Sequence, residues 1–147
     1  MNYLTVLFYG NFINFSKSKK KFTDKIILSK GHATSALYPI LRDYGVITQK
    51  DWYNWGSSKK SKLRVFGNNG IPGIDVTSGS LGHGLGIGAG FGMSFKKDKL
   101  KHNVYVIISE GELYEDSTWE TLLFIKNYNL TNVNIIIDIN NLIILGK

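Results

Sequence analysis

Two β-branched runs, Asn103-Val104-Tyr105-Val106-Ile107-Ile108 and Asn132-Val133-Asn134-Ile135-Ile136-Ile137, restrict the possible folds of this chain more than any other feature. Both are short, mostly apolar and bounded by polar residues, as expected of strands covered on both faces. The intervening segment, Glu115 to Tyr128, is long enough for one helix and too long for a hairpin. Strand, crossover helix and strand make a right-handed βαβ unit, whose two carboxyl ends emerge side by side. The predicted fold class is α/β, a mostly parallel sheet with helices on both faces.

Each run ends in an oxygen-bearing side chain. Glu110 follows the first, in Ser109-Glu110-Gly111-Glu112, and Asn140 follows the second, in Asp138-Ile139-Asn140-Asn141-Leu142. Ligands in open α/β sheets bind at the carboxyl edge of the strands. A carboxylate and an amide oxygen brought together there suit magnesium or calcium, which both prefer oxygen ligands. Backbone N–H groups after Gly111, where a helix would start, are placed to meet phosphate oxygens. On spacing alone, the pair reads equally as two polar residues that terminate strands.

These residues resemble the thiamine-diphosphate motif of transketolase-like enzymes, a G-D-G tripeptide with an Asn further along. Three more segments match in the same order. Leu28-Ser29-Lys30-Gly31-His32-Ala33 is similar to the family's L-S-K-G-H-A. Gly73-Ile74-Asp75-Val76-Thr77-Ser78-Gly79-Ser80-Leu81-Gly82-His83-Gly84 is similar to P-G-x-x-x-S-T-G-S-L-G-x-G. Glu112-Leu113-Tyr114-Glu115 with Trp119-Glu120 is similar to E-x-x-E-G-x-x-W-E. Four ordered motifs are far more specific than one.

The resemblance implies the thiamine-diphosphate-binding fold, with thiamine diphosphate and Mg2+ (or Ca2+) as cofactors. By the same resemblance, His32 approaches the diphosphate, and Gly79, Ser80 and Leu81 form a loop against the cofactor rings. Gly111 lends its backbone to the diphosphate. Glu110 and Asn140 ligate the metal, with the Leu142 carbonyl completing the protein's share. Glu115 and Glu120 match acidic residues of a dimer interface, in a relay between two active sites. The implied reaction is two-carbon ketol transfer between sugar phosphates, in a homo- or hetero-oligomer. A related synthase that builds deoxysugar phosphates ranks lower, because the SKGHA and TSGSLGHG wording is closer to the ketol transferases.

Departures from the family pattern bear on function. Glu110 stands where the family has Asp, and magnesium's near-ideal octahedral geometry tolerates a longer arm less well than calcium's. Ser109 replaces a glycine. Asp116 replaces another, adding charge beside Glu115 and Glu120 near a two-fold axis, where like charges repel. The Gly-His-Pro segment is replaced by Gly67-Asn68-Asn69-Gly70, and asparagine cannot shuttle a proton near neutral pH.

At 147 residues the chain can form one domain with a sizeable core. It reads as the diphosphate-side domain, truncated at both ends. It lacks the glutamate that activates the aminopyrimidine in the family's second domain, so a C-terminal subunit carrying the pyrimidine-binding domain is the expected partner. The alternative is a non-catalytic remnant or subunit with weakened cofactor binding.

Composition fits a folded cytoplasmic protein, with 43% hydrophobic and 20% charged residues. There is no cysteine, which excludes disulfides and thiolate metal sites. No apolar run reaches the roughly 18 residues of a membrane span. Tyr3 to Phe15 is apolar and aromatic but broken by Gly10 and asparagines, which fits a core helix or a loop. The net charge of +7 comes from lysine-rich tracts around residues 17–25, 59–64 and 96–101. They lack interleaved aromatics for stacking bases, so a solvated surface is favoured over nucleic-acid binding. Gly84-Leu85-Gly86-Ile87-Gly88-Ala89 loosely fits a dinucleotide fingerprint, but a loop precedes it where a strand is needed. Gly82 to Phe95 reads instead as a buried helix packed closely on a sheet. Thr34 to Tyr44 is a predicted helix containing Pro39, and Thr48 is the predicted cap of a short helix near Trp52 and Trp55. His83 either lines the site or supports it, and His102 is expected in solvent.

Overall fold

The structure, a computed structural model, describes residues 2–19, 21–57, 61–67, 69–71 and 73–140. Helix α1 (Asn2–Tyr9) leads into a two-stranded antiparallel pair, β1 (Phe15–Ser16) and β2 (Lys21–Phe22). Strand β3 (Lys25–Leu28) follows, then helices α2 (Thr34–Asp43), α3 (Gln49–Tyr53) and α4 (His83–Lys97). Strand β4 (Val104–Ser109), helix α5 (Asp116–Asn127) and strand β5 (Val133–Asp138) complete the described elements. β3, β4 and β5 form a parallel sheet in that order, with Leu28 beside Ile107 and Ser109 beside Asp138.

Side-chain alternation along these strands assigns the two faces. Ile26, Leu28, Tyr105, Ile107 and Ile136 point to one side, against Leu4 and Phe8 of α1 and Leu37, Tyr38 and Leu41 of α2. Ile27, Val104, Val106, Ile108, Val133 and Ile135 point to the other, against Leu85 and Phe95 of α4 and Leu122 and Ile125 of α5. Helices therefore cover both faces, as the continuous apolar runs require. Residues 104–108 of β4, the central strand, are all buried.

The glycine-dense segment forms the expected helix, for a geometric reason. Gly84, Gly88 and Gly92 recur every four residues and so share one face of α4. A Cβ at Gly88 would lie 2.4 Å from Val106 Cγ2, one at Gly92 2.3 Å from Val133 Cγ2, and one at Gly84 2.3 Å from Ser29 Oγ. The backbone of α4 thus rests directly on the sheet. Gly90, on the opposite face, has no such neighbour within 4 Å. Gly88→Ala is expected to destabilise the fold by about 1–3 kcal/mol through overpacking. Gly90→Ala should stabilise it by about 0.5–1 kcal/mol through helix propensity and a less flexible unfolded chain. Urea midpoints at constant slope measure both, and equal effects at the two positions would contradict the packing assignment.

α2 runs through Pro39 as a single helix. The Thr48 hydroxyl caps α3 by accepting the Asp51 N–H at 3.1 Å, with Trp52 inside the helix and Trp55 just beyond it. The segment from Tyr3 to Phe15 divides into α1 and the start of the β1–β2 pair, so it is helix and loop in turn. Residues 25–28, to which the sequence reading assigns no element, form β3. This strand is four residues long and adjoins a lysine-rich tract, so its own pattern is too brief to reveal its burial between β4 and the helices. No helix among the described residues is long and apolar enough to cross a membrane.

Candidate cofactor site at the carboxyl edge of the sheet

Parallel pairing aligns the carboxyl ends of β3, β4 and β5, and Gly31-His32, Gly79-Ser80-Leu81, Glu110-Gly111 and Asn140 lie at or beside that edge. After β4 the chain enters a tight 3-10 turn, Glu110–Tyr114, and after β5 it reaches Asn140 within two residues. The Asn140 backbone N–H donates to Glu110 Oε2 at 3.1 Å, so the two expected metal ligands are in contact. The third expected ligand, the Leu142 carbonyl, lies outside the described residues. No group of three or more His, Cys, Asp or Glu residues that could hold a metal occurs among the described residues. The candidate donors among the described residues are one carboxylate and one amide. These hard oxygen donors suit magnesium that keeps water or phosphate oxygens in its remaining positions.

The other expected contacts converge from two sides. Gly31 and His32 begin the 3-10 turn after β3, with His32 exposed. A Cβ on Gly31 would lie 2.9 Å from the Gly79 backbone, which brings the Gly31-His32 and Gly79-Ser80-Leu81 segments into contact. The Phe66 ring lies against both glycines. Ser80 and Leu81 are exposed, and His83 Nδ1 lies 2.9 Å from the Leu81 carbonyl and 3.1 Å from Ser80 Oγ. Because the carbonyl can only accept, Nδ1 carries the proton of that bond. His83 therefore braces its own loop. His102 makes an edge contact with the Phe95 ring and is only partly exposed, where solvent was expected.

Gly82 closes this loop with φ +74, a left-handed conformation suited to glycine at the N-terminus of α4. Its carbonyl accepts the Ser117 hydroxyl at 3.1 Å, and a Cβ there would lie 2.8 Å from Glu115 Cβ. Glu115, at the start of α5, is thus packed beside the loop. Glu120 lies further along α5 on an exposed stretch with Trp119, Leu123 and Phe124. Glu115 and Glu120 are accordingly not among the residues drawn together at Glu110 and Asn140.

Three features of this edge were missed from the sequence. Glu112 is fully buried and joins three segments. Its Oε2 accepts the Ser29 hydroxyl and the Gly82 N–H (3.1 Å), and its Oε1 accepts the Ser109 N–H (3.0 Å) and hydroxyl (3.4 Å). The signal was present as Ser109-x-x-Glu112, a capping-box pattern. The second feature is an ion pair between Lys30 and Asp138, which spans the sheet from the end of β3 to the end of β5. Tyr3 of α1 lies in the same corner. Burial first, and then the negative charge of Asp138, push its phenol pKa above the usual range. The third is the seat of Phe66, which has no signature at the level of sequence.

Comparison with known proteins places this geometry. The family described as "Transketolase, thiamine diphosphate binding domain" matches residues 2–147. The chain is 36% identical over 147 residues to one of the subunits of an apulose-4-phosphate transketolase from Phocaeicola vulgatus, covering 99% of this chain and 52% of that protein. It is 37% identical over 123 residues to human transketolase, covering 81% of this chain and 19% of that one. It thus spans about half, or less, of the length of these relatives. Among solved structures, a transketolase mutant from Pichia stipitis superposes with TM-score 0.77 at 27% identity, covering 92% of this chain and 22% of that one. The transketolase of Leishmania mexicana superposes with TM-score 0.78 at 22% identity, covering 94% and 22%, which speaks to the fold alone. With its family match running from residue 2 to residue 147 over a shared parallel-sheet architecture, this chain belongs to the transketolase family, in the portion that forms the thiamine diphosphate binding domain.

Proposed function

We propose that this chain supplies the diphosphate and cation half of a transketolase-type site, holding thiamine diphosphate with Mg2+ (or Ca2+) for two-carbon ketol transfer between sugar phosphates. The observation that carries this reading is the contact between Glu110 and Asn140 at the carboxyl edge, flanked by Gly31-His32 and the 79–82 loop. In it, Glu110, Asn140 and the Leu142 carbonyl hold the cation. The Gly111 backbone and His32 meet the diphosphate, and Gly79, Ser80 and Leu81 border the rings. When bound, thiamine diphosphate supplies a carbon nucleophile for the donor carbonyl, while the protein contributes position and electrostatics. The partner in this reading is a C-terminal transketolase subunit with the pyrimidine-binding domain, and the setting is cytoplasmic. Relatives named as single subunits of apulose-4-phosphate transketolases support a divided enzyme. The exposed Trp119, Leu123 and Phe124 offer a face for such a partner, with Glu115 and Glu120 beside it, where the family relay would run.

A second reading, a non-catalytic remnant or subunit with weakened cofactor binding, draws on Glu110 in place of Asp. It draws also on the Gly67-Asn68-Asn69-Gly70 replacement, of which Asn68 lies outside the described residues. Calorimetric titration of the chain with thiamine diphosphate and magnesium separates the two. Saturable, magnesium-dependent heat is expected from the chain itself, with affinity rising about threefold to tenfold in Glu110→Asp as the ion recovers a less constrained ligand arm. Heat that appears only in Glu110→Asp favours the remnant. No heat in either protein sinks the cofactor assignment.

A further inference from the structure

We propose that Glu112 is a positioning residue that fixes the ring-side loop, residues 79–82, relative to the cation corner at Glu110. The proposal deepens the cofactor reading above and rests on it. Each oxygen of this buried carboxyl serves a different part of the site. Oε2 takes the Gly82 N–H, directly after Gly79-Ser80-Leu81, and the Ser29 hydroxyl, two residues before Gly31. Oε1 takes the N–H and hydroxyl of Ser109, directly before Glu110. The Glu112 carbonyl in turn accepts the Thr118 hydroxyl at 2.7 Å, which anchors the hub to α5.

Only an acceptor with two oxygens satisfies this arrangement. Every partner is placed to donate, and a buried polar group left without its bonds is costly, so the carboxyl holds all four donors or exposes some of them to an unfavourable setting. An amide in its place would turn an N–H toward another N–H at either Gly82 or Ser109. The carboxyl also lies at the N-terminus of α4, where a negative group is favoured by the helix dipole. By contrast, Glu110 and Asn140 have a bond of their own that does not pass through Glu112. The cation corner can therefore persist without Glu112, whereas its registration with the ring-side loop is then left to the Ser117 bond to the Gly82 carbonyl and the Gly31–Gly79 contact. Ser109, a departure from the family's glycine, supplies one of the hydroxyls that completes the hub.

The full chain and Glu112→Gln are compared in two experiments. In the first, magnesium with thiamine diphosphate is titrated beside magnesium with inorganic pyrophosphate, which lacks the rings that Gly79, Ser80 and Leu81 border. Glu112→Gln is expected to weaken thiamine diphosphate by about tenfold or more, the low end for loss of a hydrogen bond to a charged group, while pyrophosphate changes less than about threefold. An unchanged affinity ratio overturns the proposal. Should Glu112→Gln lose both ligands together, Ser29→Ala, which removes one bond to Oε2 and leaves the Ser109 bonds to Oε1 intact, decides. A selective loss of thiamine diphosphate there supports the proposal, and an unchanged ratio overturns it. In the second experiment, amide exchange is followed without ligand. Gly82 and Ser109 should both exchange about tenfold faster in Glu112→Gln while Val106 in the sheet keeps its protection. Unaltered exchange at Gly82 and Ser109 overturns the hub. If the unaltered chain binds neither ligand, the cofactor reading fails by itself, and the exchange result alone decides whether Glu112 fixes the loop.

Discussion

Glu110→Ala is expected to remove the magnesium-dependent part of thiamine diphosphate binding, a loss of about 100-fold or more, equivalent to roughly 2.7 kcal/mol. Two effects add. In the proposed site the cation would lose its carboxylate ligand and be left to neutral oxygens such as that of Asn140. The Asn140 N–H also loses the acceptor that fixes the end of β5. Glu110→Gln separates these effects, because the amide oxygen can still accept the Asn140 N–H while the charge is gone. A loss in Gln close to that in Ala assigns the effect to the cation, and near-normal binding in Gln assigns it to backbone placement. Titration with and without magnesium is the measurement. Glu110→Ala binding as tightly as the unaltered chain in magnesium would remove Glu110 from the site.

Lys30→Met carries the second large effect, on stability. The Lys30 side chain is 7% exposed and that of Asp138 23%, so the pair sits mostly out of water. Removing one member of a buried pair costs about 3–5 kcal/mol, because the other charge is left without compensation. Partial exposure of Asp138 puts the expected value near the lower end, about 3 kcal/mol. Lys30→Met with Asp138→Leu should recover most of that loss, since a matched apolar pair can replace a buried ion pair at little cost. Urea unfolding tests both variants. A midpoint unmoved in Lys30→Met would show that the pair contributes nothing to the fold. Asp138 lies two residues before Asn140, so a drop in magnesium-dependent binding is expected alongside the drop in stability.

The parts of the fold legible in the sequence were those whose determinants are local. β4, α5 and β5 follow from run length and polarity, and the contact of Glu110 with Asn140 follows from the geometry of a parallel pair. The glycine helix α4 followed from its length and apolar content, although which glycines face the sheet is visible only once Val106 and Val133 are in place. β3 escaped because a four-residue strand depends on neighbours distant in the chain. Glu112 escaped for a related reason: its Ser109 cap is local, but Ser29 and Gly82 reach it from 83 and 30 residues away. The Lys30 and Asp138 pair joins positions 108 residues apart, which no periodicity encodes. Family resemblance supplied roles for His32, Gly79, Ser80, Leu81 and Gly111. The structure adds that the segments carrying them meet, and leaves their chemistry to the titrations above.

The bridge between Lys30 and Asp138 has a consequence for the order of assembly. Because the first half of the site lies near the start of the chain and the second on β5, no ribosome-bound fragment that stops short of β5 contains the complete corner. Contacts of such long sequence separation form late, after the loop-closure entropy has been met. Any ligand that spans the corner would then act as a latch on β5, shifting the balance toward its docked state by mass action.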